Sequence, residues 1–250
     1  MDSFRNQHIY FGGAAFATAF YIGSVRALRE RYPEQTPYVH CDSAGSLVGL
    51  GYALGVPTED IEKVYFDCIN IQERRNKRIW GGKISQDHDF IINTFLKKGN
   101  FELIRRNDRF SVGVTSFFNK HTRYTNWESP GELRRFMHKS MIIPFLTKND
   151  FAWEVDGAYS NHEPYDLCFG TLPKFDIFHV YTMWEKLTIP TTEGVRSMID
   201  DGYRKTLQHH FKLCRNNRYN NNIVVEIASL LIMWLLKLMS FGVHLLGLIE

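Results

Sequence analysis

Cysteine is scarce in this sequence, a charge excess is missing, and no apolar run opens it; each absence removes a class of protein. The four cysteines, Cys41, Cys68, Cys168 and Cys214, stand far apart with no C-x-x-C pair among 250 residues. Neither a zinc site nor a disulfide framework is expected, and a reducing compartment fits. Lys and Arg (30) nearly cancel Asp and Glu (27), leaving +3. That is far from the basic excess of proteins that track a phosphate backbone, so nucleic acid is not an expected partner. The opening residues, MDSFRNQHIYFGG, contain no signal-peptide run, and the body is expected to face the cytosol. With no Ca²⁺-loop pattern either, no metal or organic cofactor is expected.

What is present fits one α/β body with an appendage. Short apolar runs at His8 to Phe11, Tyr38 to Cys41, Ser111 to Phe118 and Phe175 to Val180 read as buried strands. Between them, Phe20 to Arg31, Gly45 to Leu54, Asp60 to Asn70, Phe90 to Lys97 and Pro130 to Met137 carry helical patterns. The alternation predicts a mostly parallel central sheet with helices on both faces. Sites in such sheets form at the carboxyl ends of strands. Two strand-to-helix junctions there are crowded with small residues: Gly12-Gly13-Ala14-Ala15 and Cys41-Asp42-Ser43-Ala44-Gly45.

The second junction reads as strand, tight turn and helix with Ser43 at its apex, an imperfect G-x-S-x-G. Such a turn projects a serine hydroxyl clear of the sheet, and small neighbours let helix and strand approach. The same residues also suit a serine that merely caps the helix. A reactive serine needs a general base, either a histidine or a carboxylate tuned by burial. Asp156, in Trp153-Glu-Val-Asp-Gly-Ala-Tyr-Ser-Asn-His-Glu-Pro164, is the leading candidate, although Asp-Gly also marks ordinary turns. In the α/β-hydrolase order the base would instead follow the acid, with Asp156 as the acid and then His162, His179, His209 or His210 as the base.

Taken in order, the glycine-rich first junction, the Ser43 elbow and the Asp156-Gly157-Ala158 turn resemble the patatin-like phospholipases. Phe110-Ser-Val-Gly-Val-Thr115, Ser140-Met-Ile-Ile-Pro144 and Asp201-Gly202-Tyr203 resemble further family stretches, the last a turn that opens the final helix. The similarity runs from about Phe11 to Gln208. It implies a three-layer patatin-like fold, a Ser43–Asp156 dyad without histidine, and an oxyanion hole formed by Gly13, Ala14 and Ala15. The loop Gly13-Ala14-Ala15-Phe16-Ala17-Thr18 is nearer the animal-lipase type, but carries alanine or threonine where family members have glycine. A non-glycine residue held at positive φ costs on the order of 1 kcal/mol, so the loop either keeps the family geometry under strain or relaxes into a helix cap. Cys41 replaces the first glycine of the elbow, and glycine at Ala15 or Cys41 is expected to preserve or raise activity. Asp42 is expected to point outward as a solvated charge.

After a basic and Asn-rich stretch (212–222), residues 223–250 are almost continuously apolar. At ~1.5 Å per residue they could cross a bilayer core of ~30 Å. Yet Glu226, Ser229, Lys237, Ser240 and His244 fall within one stripe roughly 80° wide, which suits an amphipathic helix lying in the interface. Lys212, Arg215 and Arg218 would meet anionic head groups. The expected protein is therefore a hydrolase domain (1–211) held on a membrane or lipid-droplet surface, acting on a glycerolipid or phospholipid. The rival is a catalytically silent relative that binds lipid or another protein.

Overall fold

The computed structural model describes residues 4–33, 35–75, 83–116, 120–142, 154–157, 167–169 and 189–208. The expected strand at Phe175 to Val180, the 212–222 linker, the 223–250 helix and His162, His179, His209 and His210 lie outside them. Among the described residues, no helix is long and apolar enough to cross a membrane.

The core follows from period-two alternation. Strands β1 (His8–Phe11), β2 (Tyr38–Cys41), β3 (Phe110–Ser116) and β6 (Leu167–Phe169) run parallel in the order β3-β2-β1-β6. Strands β4 (His121–Tyr124) and β5 (Glu154–Asp156) pair antiparallel with β3. The register aligns Phe11, Cys41 and Val112 in one row and Tyr10, His40 and Ser111 in the next. Successive side chains point to opposite faces, so an apolar face bearing Phe11, Val39 and Cys41 backs a polar one bearing Tyr10, His40 and Ser111.

Helix α2 (Gly45–Ala53) lies on the apolar face, where Gly49 comes so close that a Cβ would stand 2.2 Å from Cys41 Sγ. Helix α1 (Ala19–Arg31) adds Tyr21, whose ring tilts against Phe11 at 5.4 Å. Helices α3 (Thr58–Arg74) and α4 (Lys83–Lys98) extend the same core through Ile61 and Phe95, both fully buried. Helix α5 (Pro130–Ser140) begins with Pro130 after Ser129, whose hydroxyl caps the Glu132 N–H, a start that proline's fixed φ favours. It packs Phe136 on Tyr124, with ring centroids 4.0 Å apart.

Helix α6 (Thr192–Gln208) crosses α1 and corrects one expectation. Asp201-Gly202-Tyr203 lies inside this helix and opens nothing. Gly202 is small because a Cβ there would stand 1.9 Å from the Phe20 carbonyl oxygen across the crossing; backbone contact, not a turn, demands the glycine.

Candidate active site

Ser43 stands at φ 55°, in the left-handed region, two residues beyond the end of β2. That conformation is sterically costly for a residue with a Cβ and is concentrated at functional turns. Three contacts hold it. The Ser43 carbonyl accepts the Ser46 N–H at 3.0 Å and the Ser46 hydroxyl at 2.6 Å as α2 begins. The Ser43 N–H donates to Ser140 Oγ at 2.9 Å. At Gly45 a Cβ would lie 2.3 Å from the Gly12 carbonyl oxygen, so only glycine lets the two junctions touch. Ser43 is 6% exposed.

The sheet register locates Asp156 relative to this elbow. Strands β4 and β5 both pair with Val114 and Thr115, so they must occupy opposite edges of β3. Strands β4 and β2 both pair with Val112, so β2 also lies opposite β4. Strand β5 therefore continues the line of β2 along one edge. Asp156, level with Val114, sits two rows past Cys41, level with Val112, or about 7 Å at ~3.3 Å per residue. Ser43 and Asp156 thus both occupy the region beyond the carboxyl end of β2.

One short segment touches both. Ser140 Oγ accepts from Ser43 as above, and two residues later the Ile142 carbonyl accepts the Asp156 N–H at 3.1 Å. Asp156 is buried at 4% exposure. Among the described residues, no hydrogen bond joins Ser43 Oγ to the Asp156 carboxylate; the elbow's bonds run through its backbone. Catalytic contacts are often long before substrate binds.

The first junction keeps the strained geometry. Ala15 has φ 47° and starts a single 3-10 turn (Ala15–Thr18) that leads into α1. Among the described residues, no hydrogen bond uses the N–H groups of Gly13, Ala14 or Ala15, while the Ala14 carbonyl accepts from Ala17 and the Gly12 carbonyl from the Tyr21 hydroxyl. The loop is thus pinned through its carbonyls. Replacing Ala15 with glycine should relieve about 1 kcal/mol of strain, offset in part by the larger unfolded-state entropy of glycine. A net gain of about 0.5 kcal/mol, or a Tm rise of about 1–2 °C in a chain this size, is expected with activity preserved. A lower Tm in a calorimetric scan would contradict this account.

The expectation for Cys41 is corrected. Its φ is not positive, and its side chain is fully buried against Gly49 of α2. Glycine there would open a void between strand and helix rather than ease a turn. Burial pushes the Cys41 thiol well above its usual range, so it stays protonated and offers no rival nucleophile.

Asp42 reverses a second expectation, because it is 0% exposed rather than solvated. Alternation turns it to the polar face, away from Cys41. There the Tyr10 hydroxyl donates to Oδ2 at 2.7 Å and Arg123 Nη2 to Oδ1 at 3.3 Å, while Arg123 Nη1 reaches the Cys41 carbonyl at 3.3 Å. Burial without a counter-charge would cost several kcal/mol, which explains why the carboxylate is met by a guanidinium. Nothing in the linear sequence links Asp42 to Arg123, 81 residues away. Ser140 was visible only as part of a family-like stretch. Among the described residues, no cluster of His, Cys, Asp and Glu could hold a metal ion.

Comparison with known proteins extends these observations. The family description "patatin-like phospholipase" matches residues 9–169, which span both junctions, Ser140 and Asp156. No curated protein matches the sequence. Among solved structures, VipD from Legionella pneumophila is similar with a TM-score of 0.51 at 13% identity, over 82% of this chain. The chain spans 66% of that structure's length, and the likeness is one of fold.

Proposed function

Because the chain belongs to the patatin-like phospholipase family, we propose that it is a lipid acyl hydrolase working through a Ser43–Asp156 dyad. The observation that carries this reading is the strained Ser43 turn, held by the same Ser140-to-Ile142 segment that holds the backbone of Asp156. The Asp156 carboxylate takes the proton from Ser43 Oγ as that oxygen attacks the ester carbonyl carbon. The negative charge on the carbonyl oxygen is met by the N–H groups of Gly13, Ala14 and Ala15, each such donor contributing about 3 kcal/mol. The intermediate collapses, the carbon–oxygen bond to the alcohol breaks, and Asp156 returns the proton to the leaving oxygen. Water, giving a proton to Asp156, then attacks the acyl carbon; the bond to Ser43 Oγ breaks, Asp156 returns the proton to that oxygen, and the fatty acid leaves with both residues restored. No step calls for a metal or organic cofactor.

The substrate class is a glycerolipid or phospholipid ester, reached from a membrane or lipid-droplet surface. Residues 223–250 would lie in that interface with their apolar face among acyl chains, keeping the body on the cytosolic side. The reading is supported by a deactivated thiol at Cys41, which leaves Ser43 as the one nucleophile at the elbow. The test is twofold: the purified chain should react with a fluorophosphonate probe at Ser43, and it should release fatty acid from phospholipid or acylglycerol vesicles. Absence of both would assign the chain to the silent, lipid-binding class.

A further inference from the structure

We propose that Thr18 is a positioning residue for the oxyanion loop: its hydroxyl pins the Ala15 carbonyl, holds Ala15 at positive φ and so fixes the aim of the loop's N–H groups. The effect on rate rests on the reading of this loop as the oxyanion hole, whereas the conformational pin does not.

A trans peptide sets its N–H opposite its C=O. A carbonyl held on one side therefore aims the next residue's N–H to the other, and three carbonyls of this loop are held in turn. The Tyr21 hydroxyl donates to the Gly12 carbonyl at 3.2 Å, which aims the Gly13 N–H. The Ala17 N–H donates to the Ala14 carbonyl at 2.9 Å, which aims the Ala15 N–H. The Thr18 hydroxyl donates to the Ala15 carbonyl. Ala15, at φ 47°, thus lies between two peptides that are each held. Relaxation to the ordinary helical region would have to turn one of them.

Thr18 is placed for other work. It directly precedes α1, where a threonine side chain commonly caps the first free N–H groups of a helix, yet it makes no such cap. Its hydroxyl turns back to Ala15 instead. The 3-10 turn alone holds that carbonyl loosely, because its backbone bonds are less well aligned than those of an α-helix. Thr18 is fully buried, so it acts through the loop and not on substrate. From α3, the Tyr65 hydroxyl hydrogen-bonds Thr18. With the one hydroxyl proton of Thr18 committed to Ala15, Tyr65 is the donor. Burial pushes the Tyr65 phenol above its usual range, so that proton stays in place. The line Tyr65–Thr18–Ala15 ties the strained loop to a second helix of the core.

The test reads the pin and the chemistry separately. In the full chain, labelled with 13C at alanine, the Ala15 Cα–Hα coupling reports the sign of φ, and kcat and KM are measured on a dispersed ester. Thr18→Val keeps the shape and removes the hydroxyl. Ala15 should then leave positive φ, with kcat down about 10²-fold and KM little changed. Thr18→Ser keeps the hydroxyl and should retain both. Ala15→Gly added to the Thr18→Val chain should restore most of the rate, since glycine holds the left-handed conformation without a pin. Should Thr18→Val not fold, Thr18→Ala makes the same removal. An unmoved Ala15 in the chain lacking the hydroxyl, or a moved Ala15 with an unchanged kcat, overturns the proposal. If the parent chain hydrolyses no ester while Ala15 moves as stated, the pin stands and the hydrolase reading falls.

Discussion

Replacing Ser43 with alanine is expected to lower ester hydrolysis by at least about 10³-fold, with little change in Tm. The hydroxyl is the only group removed. The contacts that hold the turn, from Ser43 N–H to Ser140 and from Ser46 to the Ser43 carbonyl, are made by the backbone and survive the substitution. Alanine also tolerates φ 55° no worse than serine does. Loss of activity therefore reports chemistry rather than unfolding, and fluorophosphonate labelling should vanish with it. Turnover comparable to the parent chain would remove Ser43 from the mechanism.

The second large effect is expected at Asp156. Asparagine keeps the shape and the backbone bond to Ile142 but cannot accept a proton, so a loss similar to that of Ser43→Ala should follow. The two residues act in one proton transfer, and their effects should not add: the double variant should be no slower than the worse single one by more than a few-fold. Kinetics of both single variants and the double, measured on one ester, decide this. Independent, multiplying losses would point to a base elsewhere.

The sequence made some of this legible and hid the rest for physical reasons. Strands β1 and β2 were readable to their end residues, because short apolar runs ending in small-residue junctions have few alternative structures. Helix α4 starts at Lys83, seven residues before the expected Phe90, since its first turns carry Asp87 and His88 at buried positions where the pattern suggests none. Arg75 and Gln72 of the preceding segment supply the partners that make Asp87 burial tolerable. The same logic governed Asp42. A charge reads as exposed unless its counter-charge is known, and Arg123 approaches only through the β3–β4 pairing. The residue types at Ala15 fit either a strained or a relaxed loop, and its φ of 47° shows that strain prevails. The expected helix at 223–250 is not among the described residues.

The bond from Ser43 to Ser140 also bears on the order in which the protein becomes active. Its two ends lie 97 residues apart, and closing a loop of that length costs about 4 kcal/mol in chain entropy by the logarithmic law, before any fixed term. The Ser46 contacts to the Ser43 carbonyl can form locally, but the bond to Ser140 waits until α5 is in place. At a synthesis rate of roughly 5–20 residues per second, Ser43 emerges from the ribosome roughly 5–20 s before Ser140. During that interval the chain carries Ser43 without its long-range anchor, and the turn takes its full set of contacts only once the Ser140 end of α5 reaches it.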